Sequence, residues 1–124
     1  MSESWPKRTL QEDVLARAAE DWVYASELLW VVRSHGIPDA EHARLAAIGL
    51  VAGLVAEGLV VLGDVTRGGH RPWDLSPEAS VLRAASDWLS QADPVVGIGD
   101  VFWLATTPAG QAIGEAVWAR EVQT

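Results

Sequence analysis

Three stretches of the chain carry residue types that do chemistry. In "HGIPDAEH", His35 and His42 flank Asp39 and Glu41, four groups of the kind that ligate a divalent metal or move a proton. A metal needs such groups to converge. Here His35 closes one helical stretch and His42 lies inside the next, with no HExxH spacing, so the histidines read as polar groups at helix ends. In "TRGGHRPWD" two successive glycines offer backbone amides to an anion, but the same pair is the ordinary composition of a turn. "GIGD" lacks the length and the flanking strand and helix of a phosphate loop, and no serine stands in a GxSxG elbow. The chain has no cysteine, which excludes disulfides, thiolate metal sites and a cysteine nucleophile. The expectation is a protein without catalytic residues, metal or cofactor.

Binding is the chemistry that remains. Seven tryptophans occur in 124 residues, and those off the buried stripes are the natural anchors of an interface. "HRPWD" sets Arg71, Trp73 and Asp74 together in a loop, and Glu78 and Asp87 follow on the wet side of the next helix, so these five residues form the expected partner-binding set. A second candidate surface is the half-helix around "YASELLWVV". It is apolar almost all round, and Tyr24, Leu28, Trp30 and Val31 there are a candidate homodimer interface. Seventeen acidic residues against nine basic ones give a formal charge of -8. Carboxylates in excess oppose phosphate binding, so nucleic acid is disfavoured and a basic protein partner is favoured.

Four helices and a small antiparallel hairpin must position these residues. Leu15, Ala18, Trp22, Ala25, Leu29 and Val32 recur at spacings of three and four, predicting one helix over 12–35 that stops at His35 and Gly36. A second helix starts at Asp39 and ends near Glu57 and Gly58. Its middle, Leu45 to Ala56, holds twelve consecutive uncharged residues, with Gly49 and Gly53 expected to pack tightly inside the core. Ser76, Pro77 and Glu78 open a third helix with Val81, Leu82, Ala85, Trp88 and Leu89 on its buried stripe. Thr107 and Pro108 open the fourth, with Ala109, Ala112, Ile113, Ala116 and Val117 inward. "GLVVLGDV" and "VFWLA" read as strands that pair antiparallel.

A hydrophobic fraction of 49% in 124 residues fits one folded domain over 1–124, with residues 1–12 as a flexible arm. The N-terminus has no apolar signal segment and no run reaches the roughly 20 residues of a membrane span, so the expected location is the cytoplasm.

"AEGLVVLGDV" followed by a strand and "WLATTPAGQAIGEAV" resembles the end of winged-helix domains, in which a helix feeds a hairpin and a strand runs into a Thr-Pro-x-Gly helix start. The resemblance spans about 40–118 and implies a winged-helix-like α+β fold, its hairpin interrupted by an inserted helix at 77–90, with DNA-binding regulation as the alternative function. No helix-turn-helix break is visible within 39–57. The combination of "PWDLSP" and "GDVFWLATTPAG" is also similar to small acidic bacterial proteins, immunity proteins of interbacterial toxin systems among them. That similarity implies an immunity or antitoxin-like protein whose negative surface captures a basic toxin.

Overall fold

A computed structural model describes residues 7–122. Thr9 begins it with a reciprocal cap: its hydroxyl accepts from the Glu12 amide at 3.1 Å and its own amide donates to the Glu12 carboxylate at 2.9 Å. Helix α1 then runs Leu10–Glu20. Strand β1 (Val23–Tyr24) and helix α2 (Ala25–Ser34) follow, so the helix expected over 12–35 is two helices with a strand between them. The cause is the sheet. Asp21 is extended, its carboxylate takes the Trp22 amide at 2.8 Å, and Val23 and Tyr24 pair with Leu104 and Trp103. Every member of the predicted stripe is buried except Trp22, which the break leaves 38% exposed over Gly69. The expected flexible arm falls partly outside the described residues (1–6), and from Arg8 onward the segment is tied down by the α1 cap and by an ion pair to Glu121.

Gly36, at φ +109°, ends the α2 turn in the left-handed region, and Asp39 caps helix α3 (Ala40–Ala56) by accepting from the His42 amide at 2.9 Å. Strand β2 (Val60–Thr66) turns at Arg67 and Gly68 into strand β3 (Gly69–Pro72), a strand in a stretch that reads as loop, held at the sheet edge where Pro72 is tolerated. Ser76 caps helix α4 (Pro77–Leu89) by accepting from the Ala79 amide at 3.1 Å. Strand β4 (Trp103–Thr106) and helix α5 (Pro108–Val122) complete, among the described residues, an α+β fold of five helices and one antiparallel sheet in the order β1-β4-β2-β3. The expected pairing of the second and last strands holds, with Leu62 opposite Leu104.

Two helices turn different faces inward from those predicted. In α4 the buried row is Ser80, Ala84 and Trp88, while Leu82 and Leu89 are exposed. Small Ser80 and Ala84 let the helix sit close, and Trp88 fills the space beneath, edge-on to Phe102 at 5.8 Å with its indole nitrogen donating to the Pro94 carbonyl at 2.9 Å. In α5 the buried row is Gly110, Gly114 and Val117, and Ile113 faces outward. Arg44 is a buried cation on α3. It donates to the Trp88 and Gln91 carbonyls at 2.9 and 2.8 Å and to Glu41 at 2.7 Å, placing its charge on the electronegative end of α4. The contact runs from Arg44 at one end of α3 to the C-terminus of α4, so the two helices lie antiparallel. Among the described residues no helix is long and apolar enough to cross a membrane.

Candidate interaction faces flanking helix α4

The residues singled out for partner binding do not form one site. Trp73 is 9% exposed: its amide donates to the Leu62 carbonyl at 3.0 Å, which continues the β2–β3 ladder, and the ring is drawn in under α4. The Arg83 guanidinium covers the outer face of that ring at 4.0 Å. Trp73 is therefore not available as an exposed anchor. It fills the space between β3 and α4 together with Leu62, Pro72 and Leu75. Arg71 is exposed on β3, directly across from Asp64 of β2. Asp74 and Glu78 are exposed at the start of α4, and Asp87 lies one turn beyond Arg83, 3.6 Å from it.

Helix α4 divides these groups between two flanks. Toward the sheet, Asp64, Arg83, Asp87, Ser90, Gln91 and Asp100 surround an open cleft of about 450 Å³. Three carboxylates meet there from β2, α4 and the loop before β4, with Arg83 as the cation among the residues lining it. Asp100 is fixed by accepting from the Gly97 amide at 3.0 Å. Asp64 and Asp100 were not legible as site residues, since they lie far apart in sequence and each sits in a Gly-Asp pair that reads as a turn. The one available signal was the strand alternation that turns Asp64 outward between Gly63 and Val65.

Toward α3 the flank is apolar. Ala52, Val55, Ala56, Pro77, Val81 and Leu82 line a groove of about 370 Å³, with Glu78 at its edge. Leu82 is 70% exposed beside it, and Leu45 stands 57% exposed further along α3. Gly49 and Gly53, expected inside the core, lie on the outer face of α3. A Cβ built at either meets no described atom within 4 Å.

The set expected at a dimer interface also separates. Leu28 and Val31 are fully buried in the protein's own core, so their surfaces are already used. Tyr24 is half-buried, edge-on to Trp103 at 5.3 Å. Trp30 alone of the four is exposed, with the Arg17 guanidinium 5.1 Å from its ring centre.

The histidines are spoken for structurally. His35 Nε2 lies 2.8 Å from Asp13 Oδ2, His42 is exposed 3.6 Å from its cap residue Asp39, and His70 Nε2 is 3.0 Å from the Trp103 carbonyl. Among the described residues, no group of three or more His, Asp or Glu is placed to hold a metal ion. The densest charge cluster joins α1 to α5, away from α4. Asp13 bonds Arg8 and Arg17 at 3.0 Å each as well as His35, Arg8 reaches Glu121 at 2.7 Å, and Arg120 reaches Glu12 at 2.9 Å. Burial pushes the Asp13 carboxyl up, but the hydrogen bonds from His35, Arg8 and Arg17 outweigh it and hold the group below the usual carboxylate range. Compared with protein-family models, with curated proteins and with solved structures, the chain matches none.

Proposed function

We propose that the protein is a non-enzymatic binding module that takes a basic protein partner on the cleft flank of α4, the role of an immunity or antitoxin-like protein toward a cationic toxin. The observation that carries this reading is the convergence of Asp64, Asp87 and Asp100 on one open cleft in a chain of net charge -8. Arg83, the cation lining the cleft, is engaged with the Trp73 ring and Asp87, so the carboxylates around it remain in excess. A cleft of that size admits a lysine or arginine side chain, and the summed negative field speeds encounter with a positive surface. Arg71, across from Asp64, borders it, and Trp73 supports it beneath Arg83, whereas Asp74 and Glu78 lie at the start of α4 outside it.

The test is capture from host lysate by the tagged protein at low and then moderate salt, with the wild type beside an Asp87→Lys, Asp100→Lys double variant. A basic protein retained in stoichiometric amount, released by salt and lost with the double variant, is the expected result. Retention that ignores the charge reversal defeats the assignment of the cleft.

A second reading has its own observation. The pair α2 and α3, joined by the turn at 35–39, follows a short strand and precedes β2, and β4 lies between β1 and β2 in the sheet. This order supports a winged-helix architecture with its break between α2 and α3 rather than inside 39–57, and with β3 and α4 inserted into the wing. In that plan α3 faces DNA. Its outer face, however, is Leu45, Gly49, Gly53 and Ala56, and its one arginine, Arg44, is turned inward onto α4. Nucleic acid retained after moderate salt in the same capture is the outcome that makes the regulator the better reading.

A further inference from the structure

We infer that the outer face of α3, together with the groove it forms with α4, is where a second copy of this chain docks, the two α3 helices crossing antiparallel near Gly49. The face has a definite composition. Along one side of α3, at helical spacing, come His42, Leu45, Gly49, Ala52, Gly53 and Ala56, and the α3–α4 groove with exposed Leu82 continues it sideways. Leu45 and Leu82 project, whereas the groove and the two glycines are recesses on the same surface. A two-fold interface needs knobs and holes on one patch, because the patch must fit itself. Glycines at this spacing allow two helix backbones to approach closely, and the open space outside both is what a second helix requires.

Charge selects the occupant. A copy carrying -8 is repelled by most of the surface of another. The stretch from Leu45 to Ala56 has no charge in twelve residues, so it offers a surface on which two such chains can meet without opposing carboxylates. Charged groups lie only at the ends of the strip: Asp39, beside His42, and Glu41, bound to Arg44, near the start of α3, and Glu57 and Glu78 near its end. A crossing near Gly49 with the helices antiparallel brings Glu57 of one copy, eight residues on, toward the start of α3 in the other, where Asp39 and Glu41 lie, so the carboxylates oppose one another only at the two ends, where salt screens them. A basic partner has little to pair with on this neutral strip and is better served by the cleft on the opposite flank of α4. Both flanks can be occupied at once.

Salt separates this inference from the proposed function, since screening weakens capture of a basic partner but strengthens association of two like-charged copies. The experiment is sedimentation equilibrium of the full chain across a concentration series at low and high salt, with Gly53→Glu alongside. Gly53 is exposed and a Cβ there meets nothing described, so a side chain can leave toward solvent, and the melting temperature of the variant serves as the folding control. A dimer that tightens with salt, and whose Kd rises by about tenfold or more in Gly53→Glu while the melting temperature is held, is the expected result. A monomer at every concentration overturns the inference, as does a dimer loosened by salt or indifferent to Gly53→Glu. If the variant instead loses a protein captured from lysate, the face belongs to a different chain and the inference also fails. Asp87→Lys leaves this association intact, so failure at the cleft and failure at α3 are told apart.

Discussion

Two segments of the chain share a pattern and meet opposite fates. "GLVAG" in α3 and "GQAIG" in α5 each place two glycines four residues apart on one helix face. In α5 the spacing is consumed: a Cβ at Gly110 would run into the Leu59 carbonyl, and one at Gly114 into the Leu15 carbonyl and, at 2.7 Å, the Ala19 methyl. In α3 the same built atoms meet nothing described. The spacing alone decides neither outcome. What closes the α5 seam is polar reach from both sides: Gln111 donates to the Ala19 carbonyl at 3.0 Å, Trp118 donates to the Ala16 carbonyl at 2.8 Å, and the Arg8–Glu121 and Arg120–Glu12 pairs clamp the far end. Helix α3 is anchored on its inner and α4 sides, through Arg44 and its apolar row, and no described group reaches across its outer face. Close packing by glycine thus depends on a neighbour whose backbone has been brought within range.

The largest effect is expected where that contact is tightest. Gly114→Ala drives a methyl into the α1 backbone, which cannot rotate aside as the end of a side chain can, so α1 and α5 must separate along their length. Overpacking of this kind costs about 3 kcal/mol at its upper range. Urea unfolding of Gly114→Ala, with Gly110→Ala as a parallel case against Leu59, measures it. A midpoint within error of the wild type means that the seam is looser than it looks and that the contrast with α3 is empty.

The clamp around that seam gives the next largest effect, and it depends on pH. Asp13, Glu12 and Glu121 are all held below the usual carboxylate range: Asp13 by hydrogen bonds that overcome its burial, Glu12 first by Arg120, Glu121 first by Arg8. A depressed folded-state value means stability present above the unfolded carboxylate range and lost as pH falls through it. Glu27 works in the other direction, its carboxyl raised by burial, and so partly offsets the loss on acidification. Asp13→Asn is expected to cost about 2 kcal/mol at neutral pH, through charged hydrogen bonds reduced to neutral ones. The gap between variant and wild type narrows in acid. Equal losses at neutral pH and at pH well below the carboxylate range contradict a charge-based clamp.

Why does the sequence mark one glycine pair as core and give no sign of the other? Helix starts are written locally, and Asp39, Ser76 with Pro77, and Thr107 with Pro108 all cap where the residue types require, whereas the Thr9 cap lies in the stretch expected to be a flexible arm; Thr107 accepts from the Gly110 amide at 3.2 Å. The pairing of β2 with β4 and the burial of Trp88 follow from β-branched runs and stripe position in the same local way. Which face of a helix turns inward is not local. Hydrophobicity ranks Ala112 and Ile113 above Gly110 and Gly114, yet the inward row of α5 is chosen by how near α1 can come. The break at Asp21 is hidden for a related reason, because the apolar stripe continues in phase through it and only the demand of β4 for a partner interrupts the helix. The cleft was least legible, since its carboxylates at 64, 87 and 100 converge only after β2, α4 and the loop before β4 are in place.

The smallest effect has the opposite sign and tests the α3 half of the comparison most directly. Gly49 and Gly53 sit in the interior of a helix with ordinary helical backbone, and they carry the entropic cost of glycine with no close contact in the folded chain to compensate it. Gly49→Ala and Gly53→Ala should each raise stability by about 0.5–1 kcal/mol, the propensity difference for an exposed helix site. The same one-methyl change then stabilises in α3 and destabilises in α5, which no argument from glycine spacing alone allows. The measurement belongs at low protein concentration, where association does not contribute to the apparent stability. A loss of stability in either α3 variant under those conditions would mean that the outer face of α3 is already covered within one chain, which removes both the contrast with α5 and the surface on which a second copy is proposed to dock.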